Sequence, residues 1–188
     1  AYQFKPVCKI INSPSNSILI ADEVGLGKTI EAGLIWTELK QRYDFKRLFI
    51  VCPKVLSEKW RVELRNKIGV KAEIVKASDA VKRINSDEDF ALICSMQGMA
   101  SEQIQAELAK YYEDDKELID MLIIDEAHYL RNSETRAHKC ANLLRKISDY
   151  AVFLSVCNDT LQRYSYNYRC CFHFAQYSYC TNYISQKS

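Results

Sequence analysis

The feature that most constrains the fold is a regular exchange of periods along the chain. Short apolar runs, SILIA (17–21), RLFIVC (47–52), AEIV (72–75), FALIC (90–94), MLIID (121–125) and AVFLS (151–155), alternate with longer amphipathic stretches. Each run has strand length, and its nearly unbroken apolar character suits a strand buried on both faces. Between the runs lie helical spacings: Lys28–Lys40, the every-fourth-residue series Leu56, Trp60 and Leu64, then Glu102–Tyr112 and Ser133–Ile147. Strand and helix in alternation build right-handed βαβ units, so the expected class is α/β, a parallel sheet with helices on both faces. Ligands of such sheets gather at the carboxyl ends of the strands.

Composition narrows the setting. At 188 residues the chain has room for one well-buried domain, and the polar segments NSDED (85–89) and EDDKE (113–117) read as solvated loops within it. No run approaches the roughly 18 uninterrupted apolar residues of a membrane helix. The start, AYQFKPVCKI, lacks the regions of a secretory signal, which favours a reducing, cytoplasmic setting. Cys8, Cys52, Cys94 and Cys140 stand singly, at positions expected to be small buried apolar side chains, and disulfides are not expected. A net charge of +2 does not by itself argue for nucleic acid.

The stretch ILIADEVGLGKTIEAG, Ile18 to Gly33, carries the first chemistry. A strand, a glycine-containing loop and a helix leave unpaired backbone N–H groups and the positive end of a helix dipole aimed at one spot, which suits a phosphate. In the pattern G-x-x-x-x-G-K-[ST] the lysine neutralises phosphate and the hydroxyl holds Mg²⁺. Gly27, Lys28 and Thr29 fit, while Asp22 stands where the first glycine is expected. Taken alone the segment also reads as a surface turn entering a helix. The second motif, MLIIDEAH (121–128), shifts that balance. Four apolar residues ending in Asp-Glu describe a strand delivering carboxylates to the same sheet edge. Asp125 there can hold Mg²⁺, and Glu126 can orient and deprotonate an attacking water. His128 either couples this site to a partner lobe or packs under its loop.

Together these segments, with IVCPKVLSEKWRVEL (50–64) and Gln3 in AYQFKPV, resemble the first motor lobe of the Swi/Snf-type helicase-like ATPases of helicase superfamily two. The phrasing ADEVGLGKTIEAGLI is most similar to the prokaryotic, RapA-like branch that recycles RNA polymerase. That family carries Asp in place of the first loop glycine, so Asp22 agrees with it. The resemblance covers residues 1 to about 155 and implies a RecA-like lobe over 1–156, using ATP and Mg²⁺ and acting on double-stranded DNA. It implies that Gln3 contacts adenine, that Asp22, Gly25, Leu26, Gly27, Lys28 and Thr29 form the nucleotide loop, and that Thr29 and Asp125 serve the metal. Lys28 and Glu126 would be catalytic. Cys52, Pro53 and Lys54, and Ser95 to Gly98, fall on loops that touch the DNA backbone in the family. The DEAH sequence also occurs in RNA helicases, and a lobe that keeps the fold without using ATP is a further alternative. Trp60 fits the core through its spacing with Leu56 and Leu64 better than it fits base stacking.

The pattern breaks after AVFLS. The family continues with Ala-Thr-Pro, which couples hydrolysis to movement between lobes, whereas this chain reads SVCNDTLQ (155–162). No second lobe with its arginine finger is read in the residues that follow, so slow turnover is expected of this chain alone. Residues 157–188 hold six of the twelve tyrosines and four of the eight cysteines, with Arg163, Arg169 and Lys187 against Asp159 alone. Three readings fit: an out-of-frame or unrelated end; a strand sharing Tyr164, Tyr166 and Tyr168 on one face; or a metal site of Cys170, Cys171, His173 and Cys180, whose spacing lacks the paired C-x₂₋₄-C units of a zinc module.

Overall fold

A computed structural model describes residues 5–12, 16–22, 27–112 and 117–156. The tail from 157 and its three readings lie outside the described residues, as do Gln3, Gly25 and Leu26 and the side chain of Asp22.

All six apolar runs form strands: β1 Ser17–Asp22, β2 Arg47–Cys52, β3 Glu73–Ile74, β4 Phe90–Ser95, β5 Ile119–Ile124 and β6 Ser148–Val156. They pair in parallel in the order β1-β6-β5-β2-β4-β3. The helices are α1 Lys5–Ile11, α2 Lys28–Tyr43, α3 Ser57–Glu63, α4 Ala77–Ile84, α5 Met96–Met99, α6 Glu102–Tyr112 and α7 Arg136–Lys146. Alternation along each strand sorts the core into two layers. Ile18, Ile20, Leu48, Ile50, Ile123 and Val152 face α1 to α3, while Leu19, Phe49, Val51, Leu122, Ile124 and Phe153 face α4 to α7. Parallel pairing and two apolar faces per strand are thus one fact, since each βαβ crossover lays a helix over the sheet.

Local chemistry sets the ends of the helices. Thr135 caps α7 by accepting a hydrogen bond from the His138 backbone N–H at 3.2 Å. Ser95 caps α5 in the same way through the Gly98 N–H. Asp44 closes α2 in the left-handed region at φ 56°, after Lys40 and Arg42 have placed positive charge in the last turn. At the opposite end of the sheet from the strand carboxyl termini, the half-buried Arg145 donates to the Ser17 hydroxyl at 2.9 Å and to the Ser148 carbonyl at 2.7 Å, tying α7 to β1 and β6.

Three expectations are corrected. AEIV does not form a strand buried on both faces: only Glu73 and Ile74 pair, on the sheet edge beyond β4, and both are exposed. The spacing Leu56, Trp60, Leu64 does not mark one helix. Its chain runs from a 3₁₀ turn, Lys54–Leu56, through α3 into a π-helical segment, Leu64–Ile68, that ends at Gly69 with φ 78°. Cys8 is exposed, because Val7 and Ile10 take the buried side of α1 and each helical residue turns by about 100° from the last.

Candidate nucleotide site

Because the strands are parallel, the carboxyl ends of β1, β2, β5 and β6 open on one edge. There a cleft of about 510 Å³ is lined by Gly27, Lys28, Thr29, Trp60, Asp125 and Glu126, with Leu154 and Val156 from β6. The two sequence motifs therefore meet, although their strands are not neighbours: β6 lies between β1 and β5. A slightly larger depression, about 540 Å³, is lined by Arg61, Arg65, Asn66 and Lys71 and shares no residue with the cleft. It is a basic outer face beside α3, without the opposed lysine and carboxylates of the cleft.

Gly27 starts α2 at φ 92°, ψ 27°, a left-handed conformation that a side chain disfavours. Its carbonyl accepts from the N–H groups of Ile30 and Glu31 at 2.8 and 3.1 Å, which starts a sixteen-residue helix with its N-terminus at the cleft. Lys28 and Thr29 are half-buried at this N-terminus.

On the opposite wall, the Asp125 N–H donates to the Val51 carbonyl at 2.9 Å and extends the ladder by one residue past β5. Both oxygens of its carboxylate are held: Oδ1 accepts from the Glu126 N–H at 2.8 Å, and Oδ2 from the Trp60 indole Nε1–H at 2.8 Å. Glu126 follows at φ 54°, ψ 44°. A non-glycine residue in that region carries backbone strain and is characteristic of working sites. The strain is sustained by the segment after it: Tyr129 N–H donates to the Glu126 carbonyl, and His138 Nδ1 sits 2.8 Å from the Leu130 carbonyl. A carbonyl only accepts, so this nitrogen of His138 carries the proton. His128 Nδ1 lies 3.1 Å from Glu126 Oε2, yet the pair lacks hydrogen-bond geometry, so the contact is a charge interaction when the imidazole is protonated.

The oxygen donors suit a hard divalent cation. The Thr29 hydroxyl and the Asp125 carboxylate line one cleft with Lys28, and Glu126 Oε2 is buried without a hydrogen-bond partner. Of the residues that the resemblance assigns to DNA, Lys54 and Gln97 are exposed. The Cys52 side chain is buried. It closes β2 pointing into the α1–α3 layer, its thiol lies 3.6 Å from the Ser57 hydroxyl, and burial pushes its pKa up to about 11. Trp60 is in the core, as its spacing implies, at 2% exposure. Its bond to Asp125 is a feature of the site that periodicity does not contain, since a hydrogen bond across 65 residues leaves no local signal.

The SNF2-related domain matches residues 2–154. The chain belongs to that family. This SNF2-related chain is 32% identical over 146 residues to YqhH of Bacillus subtilis, an uncharacterized ATP-dependent helicase, covering 77% of this chain and 24% of that protein. It is 30% identical over 141 residues to the RNA polymerase-associated protein RapA of Haemophilus influenzae, covering 71% and 14% of the two chains. The SNF2-related lobe thus spans at most a quarter of these relatives. Among solved structures, the Sulfolobus solfataricus SWI2/SNF2 ATPase core in complex with dsDNA superposes with a TM-score of 0.62 at 21% identity, over 82% of this chain and 31% of that one. The same core solved as a separate structure gives 0.65 at 17% identity, over 93% and 34%. At these identities the superpositions establish the fold, an all-parallel RecA-like lobe.

Proposed function

We propose that this chain is the ATP-binding first motor lobe of a DNA-dependent ATPase that moves on duplex DNA and remodels proteins bound to it. The observation that carries the reading is the convergence, in one cleft, of Lys28 and Thr29 at the start of α2 with Asp125 and Glu126 at the end of β5. In this reading the α2 N-terminus and Lys28 hold the phosphates, and Thr29 and Asp125 hold Mg²⁺. Glu126, with its strained backbone and a carboxylate oxygen that makes no hydrogen bond, orients the attacking water and takes its proton. Mg²⁺, when bound with ATP, supplies the charge that neutralises the phosphate oxygens. Duplex DNA as the track is supported by family membership and by the DNA-bound Sulfolobus core, and a polymerase as target by the RapA relatives.

A titration of Mg-ADP and Mg-ATP into the 188-residue chain tests the reading. Binding is expected in wild type and is expected to weaken by about 10-fold to 100-fold in Lys28→Ala, the equivalent of one charge-assisted hydrogen bond of about 1.5–3 kcal/mol. Glu126→Gln should bind as wild type does. Wild type that binds neither nucleotide refutes the proposal, and it would favour a lobe that keeps the fold as an interaction module.

A further inference from the structure

The cleft contains one polar contact that the roles above do not use. Trp60 is buried, and its indole nitrogen donates to Asp125 Oδ2 at 2.8 Å. The other oxygen, Oδ1, is bound to the Glu126 N–H, and the Asp125 backbone is bound to Val51. A half-buried carboxylate is thereby fixed at both oxygens, and its rotation about the last side-chain bond is blocked. The donor could hardly be placed more rigidly: the indole plane is packed in the α1–α3 layer, and α3 passes directly into the π-helical turn Leu64–Ile68, whose Ile68 abuts Gly33 of α2. π-helical turns recur at functional sites.

We propose that Trp60 is a positioning residue for the metal side of the site: its indole N–H orients the Asp125 carboxylate for Mg²⁺ delivered with the nucleotide. The inference rests on the nucleotide reading given above. A partner that orients a metal-side ligand sets metal affinity, and its loss weakens that affinity by about 10-fold to 100-fold without removing any ligand. Trp60→Phe is the discriminating variant, since the ring still packs but the N–H is gone.

The test compares wild type and Trp60→Phe in the full 188-residue chain by titrating a fluorescent ADP analogue with and without Mg²⁺. Trp60→Phe is expected to bind metal-free nucleotide within about twofold of wild type while needing roughly 10-fold more Mg²⁺ to reach the tight state. Equal Mg²⁺ requirements overturn the positioning role and leave the nucleotide site standing. Wild type that binds nucleotide under neither condition overturns the site and the positioning role together. A second readout needs no nucleotide and no folded Trp60 variant. In ¹H–¹⁵N spectra the Trp60 indole signal should lie downfield and move upfield in Asp125→Ala, while the Trp36 indole stays in place. An indole signal unaffected by Asp125→Ala overturns the proposal.

Discussion

At the scale of single residues, the site depends on two backbone positions in the left-handed region, Gly27 and Glu126, and they stand on opposite walls of the cleft. Glycine occupies the first at little conformational cost, whereas Glu126 is held there by the turn Ala127–Leu130 and by His138. Gly27→Ala is therefore expected to destabilise the fold by about 1–2 kcal/mol and to weaken nucleotide binding, measured as urea unfolding and as the same titration in parallel. Thiol reactivity gives a second residue-scale prediction. Burial pushes the thiols of Cys52 and Cys94 up to about 11 and that of Cys140 up to about 12, so the thiolate that reacts is scarce near neutral pH, while Cys8 is exposed. Iodoacetamide at pH 8 followed by peptide mapping should alkylate Cys8 in the native chain and reach the other three only after denaturation. That Lys28, Thr29, Asp125 and Glu126 meet at one sheet edge was legible in the sequence because each stands in a contiguous motif whose chemistry dictates neighbouring residue types. The Trp60 bond and the exposure of Cys8 were not, because both depend on which way one side chain points after folding.

At the scale of elements, a close contact at Gly33 joins α2 to the π-helical segment. A Cβ at Gly33 would come within 2.5 Å of Ile68 Cγ1 and 2.7 Å of its Cδ1. Alanine in mid-helix ordinarily gains about 1 kcal/mol over glycine, and overpacking loses about 1–3 kcal/mol. The close approach is to the outer arm of a half-buried side chain, which must give way, so Gly33→Ala is expected to fall short of the usual gain, and Ile68→Ala in the same chain should restore part of it. A double-mutant cycle in urea checks this, and strict additivity of the two changes would show that the helices do not press on each other. The sequence shows Gly33 next to the phosphate loop without showing what faces it. For the same reason the six strands were readable from their apolar runs, while the 3₁₀, α and π succession over 54–68 was not. Helical period reports which side of a segment is apolar, and all three helix types keep Leu56, Trp60 and Leu64 inward, so the change of hydrogen-bonding pattern leaves no trace in the spacing.

At the scale of the whole molecule, the parallel sheet brings loops from β1, β5 and β6 to one edge, so a ligand held there bridges segments far apart in sequence. Such a ligand binds the folded chain and not the unfolded one, which stabilises the fold by mass action, about 2.7 kcal/mol at a concentration 100 times Kd. For a domain of this size that corresponds to roughly 5–10 °C in Tm. Mg-ADP should produce such a rise in wild type and a much smaller one in Lys28→Ala. The same measurement addresses residues 157–188, whose composition is set apart by half of the tyrosines and a single acid, Asp159. Among the described residues, β6 pairs with β1 as far as Val156 opposite Asp22, and the residues up to that point assemble two apolar core layers. A chain ending at Val156 is therefore expected to keep the wild-type Tm and the full rise with Mg-ADP. It should also be more soluble, since an apolar, tyrosine-rich segment with little charge promotes association. A lowered Tm in that chain would mean that the tail packs against the lobe. A preserved Tm with a lost response to Mg-ADP would instead mean that residues beyond Val156 contribute to the cleft into which β6 opens.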